Sequence, residues 1–178
     1  MVERAAIDGE ILIDDVYISR LKLEYLRSRL SIIPQTPILF SGTLRYNLDP
    51  FEIYTDEQCL KALEDVQLNH RLNNRTSDLN MSIAEFGSNL SVGECQLICV
   101  ARALLKRSKI LLIDEATANV DRETDALIQD IIGKRFSDRT ILTIAHRLNT
   151  ITNSDKILVM DHGYVSQFDR TNEVLKKT

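Results

Sequence analysis

The sequence predicts an α/β fold with a mostly parallel sheet, and two observations carry the prediction. Short apolar runs alternate with stretches of helical periodicity along the 178 residues. The run KILLID (109–114), a helical pattern capped by Asp121 and the run TILTIA (140–145) then follow in the order of a βαβ unit. The four central residues of KILLID are all apolar, so we expect a strand buried on both faces, with TILTIA as the next buried strand.

The other elements follow from apolar runs and capping signals. ILIDD (11–15) predicts a strand that ends in a turn, and RLSIIPQ (29–35) predicts a second strand that stops at Pro34. Thr55 to Gln58 has the form of a capping box, so a helix is expected over 56–68.

A longer helix is predicted to begin at Ser91 and to run to about Lys106. KILVM (156–160) is expected to continue the sheet, and the turn DHG leads into YVSQF, its predicted hairpin partner. Thr171 is expected to cap a short terminal helix.

Composition excludes several classes of protein. An apolar content of 44% with 27% charged residues is typical of a soluble globular chain. The net charge of −4, without a basic cluster, argues against nucleic acid as a partner. No apolar run approaches the roughly 18 residues that span a bilayer, and no signal peptide follows Met1, so the chain itself is expected to be soluble and cytosolic. Three cysteines suggest packed, reduced thiols.

Polar side chains follow three of the predicted strands. Gln35 follows the strand that stops at Pro34, Asp114 and Glu115 follow ILLI, and His146 follows TILTIA. Ligands of open parallel sheets bind outside the carboxyl ends of the strands. An apolar strand that ends in Asp-Glu has the form of a Walker B segment, whose first acid holds Mg²⁺ and whose second polarises an attacking water.

These motifs together resemble those of the ATP-binding cassette (ABC) proteins. IIPQ, NLSVGECQLICVARALL, ILLIDEATANVD and TIAHRLNTI resemble the Q-loop, the signature, the Walker B segment with the D-loop, and the switch histidine. PILFSGTLRYNLDPF and EATANVDRETDALIQ resemble the C subfamily of transporters, the multidrug-resistance-associated group. The signature form LSVG with a Walker B ending in Glu is similar to the second of its two nucleotide-binding domains. The resemblance covers nearly the whole chain.

The resemblance implies a partial P-loop NTPase fold of the ABC ATPase type, with a helical signature subdomain. The expected division is a sheet segment with the Q-loop at 1–48, a helical and signature region at 49–108, and a region from Walker B to the terminal helix at 109–178. The implied function is part of the ATP-binding and hydrolysing domain of an exporter. It would work at the cytoplasmic face of a membrane, with membrane-spanning domains docked near the Q-loop.

The resemblance also implies roles for single residues. Gln35 would sense Mg²⁺ and the attacking water, and Asp114 would hold the Mg²⁺. Glu115 would be the catalytic base, and His146 would contact the γ-phosphate of ATP.

Two domains of this family sandwich two ATP molecules head to tail. Ser91, Gly93 and Glu94 would therefore face the ATP bound by the partner nucleotide-binding domain. Asp121, in the D-loop, would communicate across that dimer. The free N–H groups at a helix N-terminus suit such a phosphate-facing position.

The chain departs from the family pattern in several places. None of its six glycines belongs to a G-x-x-x-x-G-K-[ST] phosphate loop, which the family places upstream of the ILIDD strand. ATP hydrolysis by the isolated chain is therefore not expected. Substitutions also stand at positions where the family usually has another residue: Asp15 for Gly, Phe86 for Gly, Glu94 for Gln, Cys95 for Arg and Asn119 for Ser.

Glu94 leaves a question that the sequence alone does not answer. Its place three residues after Ser91 predicts a capping box, yet a carboxylate beside a phosphate weakens ATP binding. Two other functions also remain open. One is a nucleotide-free interaction module that reuses the fold, and the other is a soluble ABC ATPase of DNA repair or chromosome structure.

Overall fold

The computed structural model of the chain describes residues 9–72, 78–145 and 147–176. The strands are β1 (Leu12–Ile13), β2 (Val16–Tyr17), β3 (Leu30–Ile33), β4 (Gly42–Thr43), β5 (Ser82–Ile83), β6 (Ile110–Asp114), β7 (Thr140–Ile144), β8 (Lys156–Asp161) and β9 (Tyr164–Arg170). The helices are α1 (Leu23–Arg29), α2 (Leu44–Leu48), α3 (Asp56–Asp65), α4 (Leu68–Arg71), α5 (Val92–Lys106), α6 (Arg122–Arg135), α7 (Leu148–Ile151) and α8 (Thr171–Leu175). Within the described ranges, no helix is long and apolar enough to cross a membrane.

A parallel sheet in the order β3-β6-β7 forms the centre of the fold. Its register pairs Ile33 with Ile113, and Ile113 with Thr143. The chain runs from β6 through α6 into β7, which confirms the βαβ unit predicted over 109–145. The carboxyl ends of the three strands therefore meet at one edge of the sheet.

The helix α5 lies at the centre of the hydrophobic core. Its buried residues are Gly93, Cys95, Gln96, Leu97, Ile98, Cys99, Val100, Ala101, Ala103 and Leu105. The helix contacts β3 and four other helices, α2, α3, α4 and α6. A helix that is apolar on nearly all sides must lie inside the protein, and this one organises the packing around it.

Only one face of the parallel sheet is covered in the described structure. Ile33, Leu111 and Ile113 are buried on that face. On the other face Leu142 is 58% exposed and Ile144 is 61% exposed. The prediction that 109–114 and 140–145 are buried on both faces is therefore wrong, because alternate side chains of a strand point to opposite faces.

The prediction that KILVM (156–160) continues the parallel sheet is also wrong. β8 pairs with β9 in a separate antiparallel sheet of two strands, whereas β7 pairs with β6 in the described part of the chain. His162 (φ +46°) and Gly163 (φ +84°) form a tight turn between the strands of this hairpin. The adjacent strand along the chain thus supplies the partner of β8, and the YVSQF prediction is confirmed.

Helix capping confirms some predicted boundaries and corrects others. Thr55 and Gln58 form the predicted capping box of α3, but the helix ends at Asp65 because Gln67 is left-handed (φ +56°). Thr171 is not a cap. It is the first residue of α8, and its hydroxyl donates to the carbonyl of Ser154.

Phe86 has a left-handed backbone (φ +55°) and a side chain that is 78% exposed. Because Gly adopts this region without steric strain, we expect Phe86→Gly to raise the free energy of unfolding by about 0.5–1 kcal/mol. Phe86→Ala keeps the strain and is the control, which should show no gain. Urea denaturation followed by circular dichroism measures both, and equal effects of the two substitutions would contradict the strain argument.

The contact between α5 and α6 leaves no room for a side chain at Gly93. A Cβ there would lie 2.9 Å from the Cγ2 of Thr124, a fully buried residue. We expect Gly93→Ala to lower the free energy of unfolding by about 1–3 kcal/mol through overpacking. Gly133→Ala is the matched control, because a Cβ on Gly133 meets nothing within 4 Å. That change should stabilise α6 by up to about 1 kcal/mol.

The Gly93→Ala substitution should also be rescued by a second change. Thr124→Ala removes the atom that clashes, so the two substitutions together should be less destabilising than the sum of their separate effects. Denaturation of the single and double variants measures this coupling. Additive effects would show that the contact with Thr124 is not the reason for Gly93.

Candidate functional site

Two of the side chains predicted at the carboxyl edge of the sheet are in direct contact. The Nε2 of Gln35 donates to Oε2 of Glu115 over 2.9 Å, although 80 positions separate them in the sequence. Asp114 is the last residue of β6, and Gln35 lies two residues beyond the end of β3. His146, the third predicted member of this edge, lies outside the described residues.

The backbone holds Glu115 between β6 and β7. Its N–H donates to the carbonyl of Ile144 over 3.0 Å, which ties the residue to the end of the next strand. Its φ of +43° is unusual for a residue with a side chain. Such strained backbone concentrates at functional sites, where the surrounding structure holds it in place.

The carboxylate of Asp114 is a suitable ligand for Mg²⁺. The residue is exposed at the strand end, beside the Gln35–Glu115 pair. Mg²⁺ commonly takes one or two carboxylates and fills its remaining positions with water and substrate phosphates. In the described part of the chain, no three His, Cys, Asp or Glu side chains come together as a metal site. A single carboxylate such as Asp114 matches that preference of Mg²⁺.

The N-terminus of α5 brings Ser91, Gly93 and Glu94 together. The backbone N–H of Glu94 donates to Ser91 Oγ over 3.2 Å, and the backbone N–H of Ser91 donates to Glu94 Oε2 over 2.7 Å. This is the predicted capping box in full. The carboxylate of Glu94 thus folds back onto its own helix cap.

Asp121 is the N-cap of α6, as the sequence predicts. Its carboxylate accepts from the backbone N–H of Thr124 over 3.0 Å and from the hydroxyl of Thr124 over 2.7 Å. These bonds, with a smaller contribution from the Arg71 charge, hold the pKa of Asp121 below its usual value. Gly93 packs against the same Thr124, so this residue joins the predicted D-loop residue to the signature helix.

Sequence reasoning missed the residues that brace this arrangement. Arg71 donates to Thr124 Oγ1 over 2.6 Å and to Glu123 over 3.1 Å. Arg147 donates to the carbonyl of Ala118 over 2.8 Å, which ties the segment after β7 to the loop after β6. An isolated arginine carries no recognisable spacing, and only its partner far along the chain reveals its role.

The cysteines are structural, as predicted. Cys59, Cys95 and Cys99 are free and buried. Burial raises the pKa of the Cys95 thiol to about 11, so it is protonated at neutral pH and a poor nucleophile. Its sulfur lies 3.7 Å from the carbonyl of Gly87, beneath the turn that contains Phe86.

Known proteins are similar to this chain in sequence and in fold. The family model described as "ABC transporter" matches residues 2–118. ATP-binding cassette sub-family C member 4 of Mus musculus is 51% identical over 169 residues, which are 95% of this chain and 13% of that protein. Probable multidrug resistance-associated protein lethal(2)03659 of Drosophila melanogaster is 51% identical over 171 residues, which are 96% of this chain and 12% of that protein.

A solved structure gives the same result for the fold. A bacterial Atm1-family ABC exporter with ATP bound superimposes with a TM-score of 0.86 at 33% identity, over 96% of this chain and 30% of that chain. This likeness confirms the predicted partial P-loop NTPase fold of the ABC type. The chain spans about an eighth of the length of the two relatives above. On the family match and these identities, the chain belongs to the ABC transporter family, in its C subfamily.

Proposed function

We propose that the chain is the carboxy-terminal portion of the second nucleotide-binding domain of an ABC exporter, which couples ATP hydrolysis to transport across a membrane. The observation that carries the proposal is the hydrogen bond from Gln35 to Glu115, beside the exposed carboxylate of Asp114. An amide, a base and a magnesium ligand at one sheet edge are the groups that phosphoryl transfer to water needs.

In the proposed reaction, Glu115 acts as the general base. A carboxylate oxygen of Glu115 accepts a proton from a water while the water oxygen bonds to the γ-phosphorus of ATP. The bond from that phosphorus to the bridging oxygen breaks, and ADP leaves with the oxygen. Gln35 orients the carboxylate through its hydrogen bond, and His146 contacts the γ-phosphate. Asp114 would hold Mg²⁺, which would supply positive charge beside the phosphate oxygens.

The second group of residues serves the nucleotide of the partner domain. Ser91 and Gly93 lie at a helix N-terminus, which favours negative charge. Asp121 is linked to them through Thr124, so the D-loop and the signature helix would meet the partner domain as one unit.

A surface near the Q-loop suits the membrane-spanning domains. Its members are apolar and exposed, and they lie in the segment that follows Gln35: Ile38, Phe40, Phe51 and Ile53. Phe51 is 82% exposed. Large apolar side chains exposed together on a surface mark an interaction site, so we expect these residues to contact another domain.

The alternative function is a nucleotide-free interaction module derived from an ABC domain. The exposed sheet face at Leu142 and Ile144 favours it, because a partner would cover these side chains. ATP turnover separates the two functions.

We expect the isolated 178-residue chain to show no ATP turnover above background, because it lacks the loop that cradles the phosphates. In an assembled transporter that carries these residues, we expect Glu115→Gln to lower turnover by about 10²–10⁴-fold, the usual effect of losing a general base. Phosphate release measures both. Glu173→Gln, an exposed carboxylate of α8, is the control and should leave turnover unchanged. Turnover by the isolated chain that Glu115→Gln abolishes would overturn the first expectation.

Glu94 handicaps the binding of the partner's ATP in this proposal. A carboxylate about 4 Å from one unit of phosphate charge costs on the order of 4 kcal/mol at an effective dielectric near 20. This energy corresponds to roughly a thousandfold in affinity, which is an upper bound. The capping bond to Ser91 directs the Glu94 carboxylate toward the helix cap.

We expect Glu94→Gln to tighten ATP-dependent association of the two nucleotide-binding domains, by up to about a thousandfold. Glutamine keeps the capping box and removes the charge, so the change isolates the electrostatic effect. Glu94→Ala removes the charge and the cap, and should tighten association less. The difference between Glu and Gln should shrink as ionic strength rises. An unchanged or weaker association for Glu94→Gln would show that the carboxylate is no handicap.

A further inference from the structure

Gln96 is a polar side chain in the core, and its presence there does not stabilise the fold. It is fully buried on α5, one turn after Gly93. Its Nε2 donates to the carbonyl of Pro34 over 2.9 Å. Its Oε1 is buried and has no hydrogen-bond partner among the described residues. A buried acceptor of this kind is destabilising, so an apolar side chain of similar size would suit the core better.

The partner of Gln96 lies at a sensitive point. Pro34 directly follows β3 and directly precedes Gln35, whose amide donates to Glu115 over 2.9 Å. A bond to the Pro34 carbonyl therefore fixes the main chain at the residue before the catalytic edge. A shift of about 1 Å in a catalytic group can lower a rate by about 10²-fold.

The N-terminus of the same helix, one turn before Gln96, faces the partner domain in the proposed function. Ser91 caps α5, and Gly93 lies in its first turn. A displacement of α5 when the partner's ATP binds would move Gln96, and with it Pro34 and Gln35. The helix is packed on nearly all sides, so it would move as a rigid body rather than bend.

We propose that Gln96 is a positioning residue that couples the signature helix to the catalytic pair Gln35–Glu115. It acts through the carbonyl of Pro34 and touches neither ATP nor water itself. The proposal rests on the proposed function, since it needs one ATP at the N-terminus of α5 and another beside the Gln35–Glu115 pair.

The test uses an assembled transporter that carries this chain. Gln96→Met removes the donor and keeps the volume, so the fold should be as stable as before or more stable. We expect kcat to fall by about 10-fold or more, while the KM for ATP changes by less than about twofold. Val100→Ala, a buried change one turn further along α5, is the matched control. It should lower the melting temperature and leave kcat unchanged.

Gln96→Glu adds a pH-dependent readout. A protonated carboxyl can donate to the Pro34 carbonyl, whereas an ionised one cannot. Burial favours the protonated form, so turnover should be retained at low pH and lost as pH rises. The wild-type protein should not show this loss over the same range.

A double-mutant cycle checks the route of the coupling. If Gln96 acts through Gln35, then Gln96→Met should have little further effect on kcat in a Gln35→Ala background. An unchanged kcat for Gln96→Met, or additive effects in the cycle, would overturn the proposal. Failure of the proposed function is a separate result, because Glu115→Gln would then leave turnover intact.

Discussion

Polar side chains of α5 hold the main chain along β3, and the sheet edge that contains Gln35 and Glu115 depends on this clamp. Lys106 donates to the carbonyls of Arg27 and Leu30 over 2.8 and 2.6 Å, just before and at the start of the strand. Gln96 donates to Pro34 at the other end of the strand. Ten helical residues at about 1.5 Å each span about 15 Å, and four strand residues at about 3.3 Å span about 13 Å. The helix segment 96–106 and the strand segment 30–34 therefore have similar lengths, and they run in opposite directions.

Arg102 extends the clamp beyond the strand. It donates to the carbonyl of Ile38 over 2.7 Å and to the backbone and side-chain oxygens of Asn47. Partial burial lowers the pKa of the Arg102 guanidinium and the pKa of the Lys106 ammonium. Hydrogen bonds from charged donors are the strong ones, so these carbonyls offset the partial desolvation of the two cations. The loop that contains Gln35 is thus held from the same helix on both sides.

Local signals explain what the sequence could predict. The capping box of Ser91 and Glu94, the cap at Asp121 and the βαβ order all depend on residues close together in the chain, and all three are confirmed. The pairing partner of β8 is not predictable from the sequence, because the periodicity of a strand is the same whether it pairs with β7 or with β9. The bond from Gln96 to Pro34 joins residues 62 positions apart, and that from Arg71 to Thr124 spans 53. No short sequence pattern predicts contacts between residues so far apart in the chain.

At the cap of α5, one residue is subject to two demands that oppose each other. A capping box accepts Glu or Gln at its third helical position, so the fold does not distinguish Glu94 from its neutral counterpart. A phosphate facing the same helix end distinguishes them strongly, since charge acts over longer range than a hydrogen bond. The cap therefore stabilises the helix with either side chain, and only the nucleotide of the partner domain would select between them. A residue can be optimal for the fold of its own chain while it weakens a site completed by another.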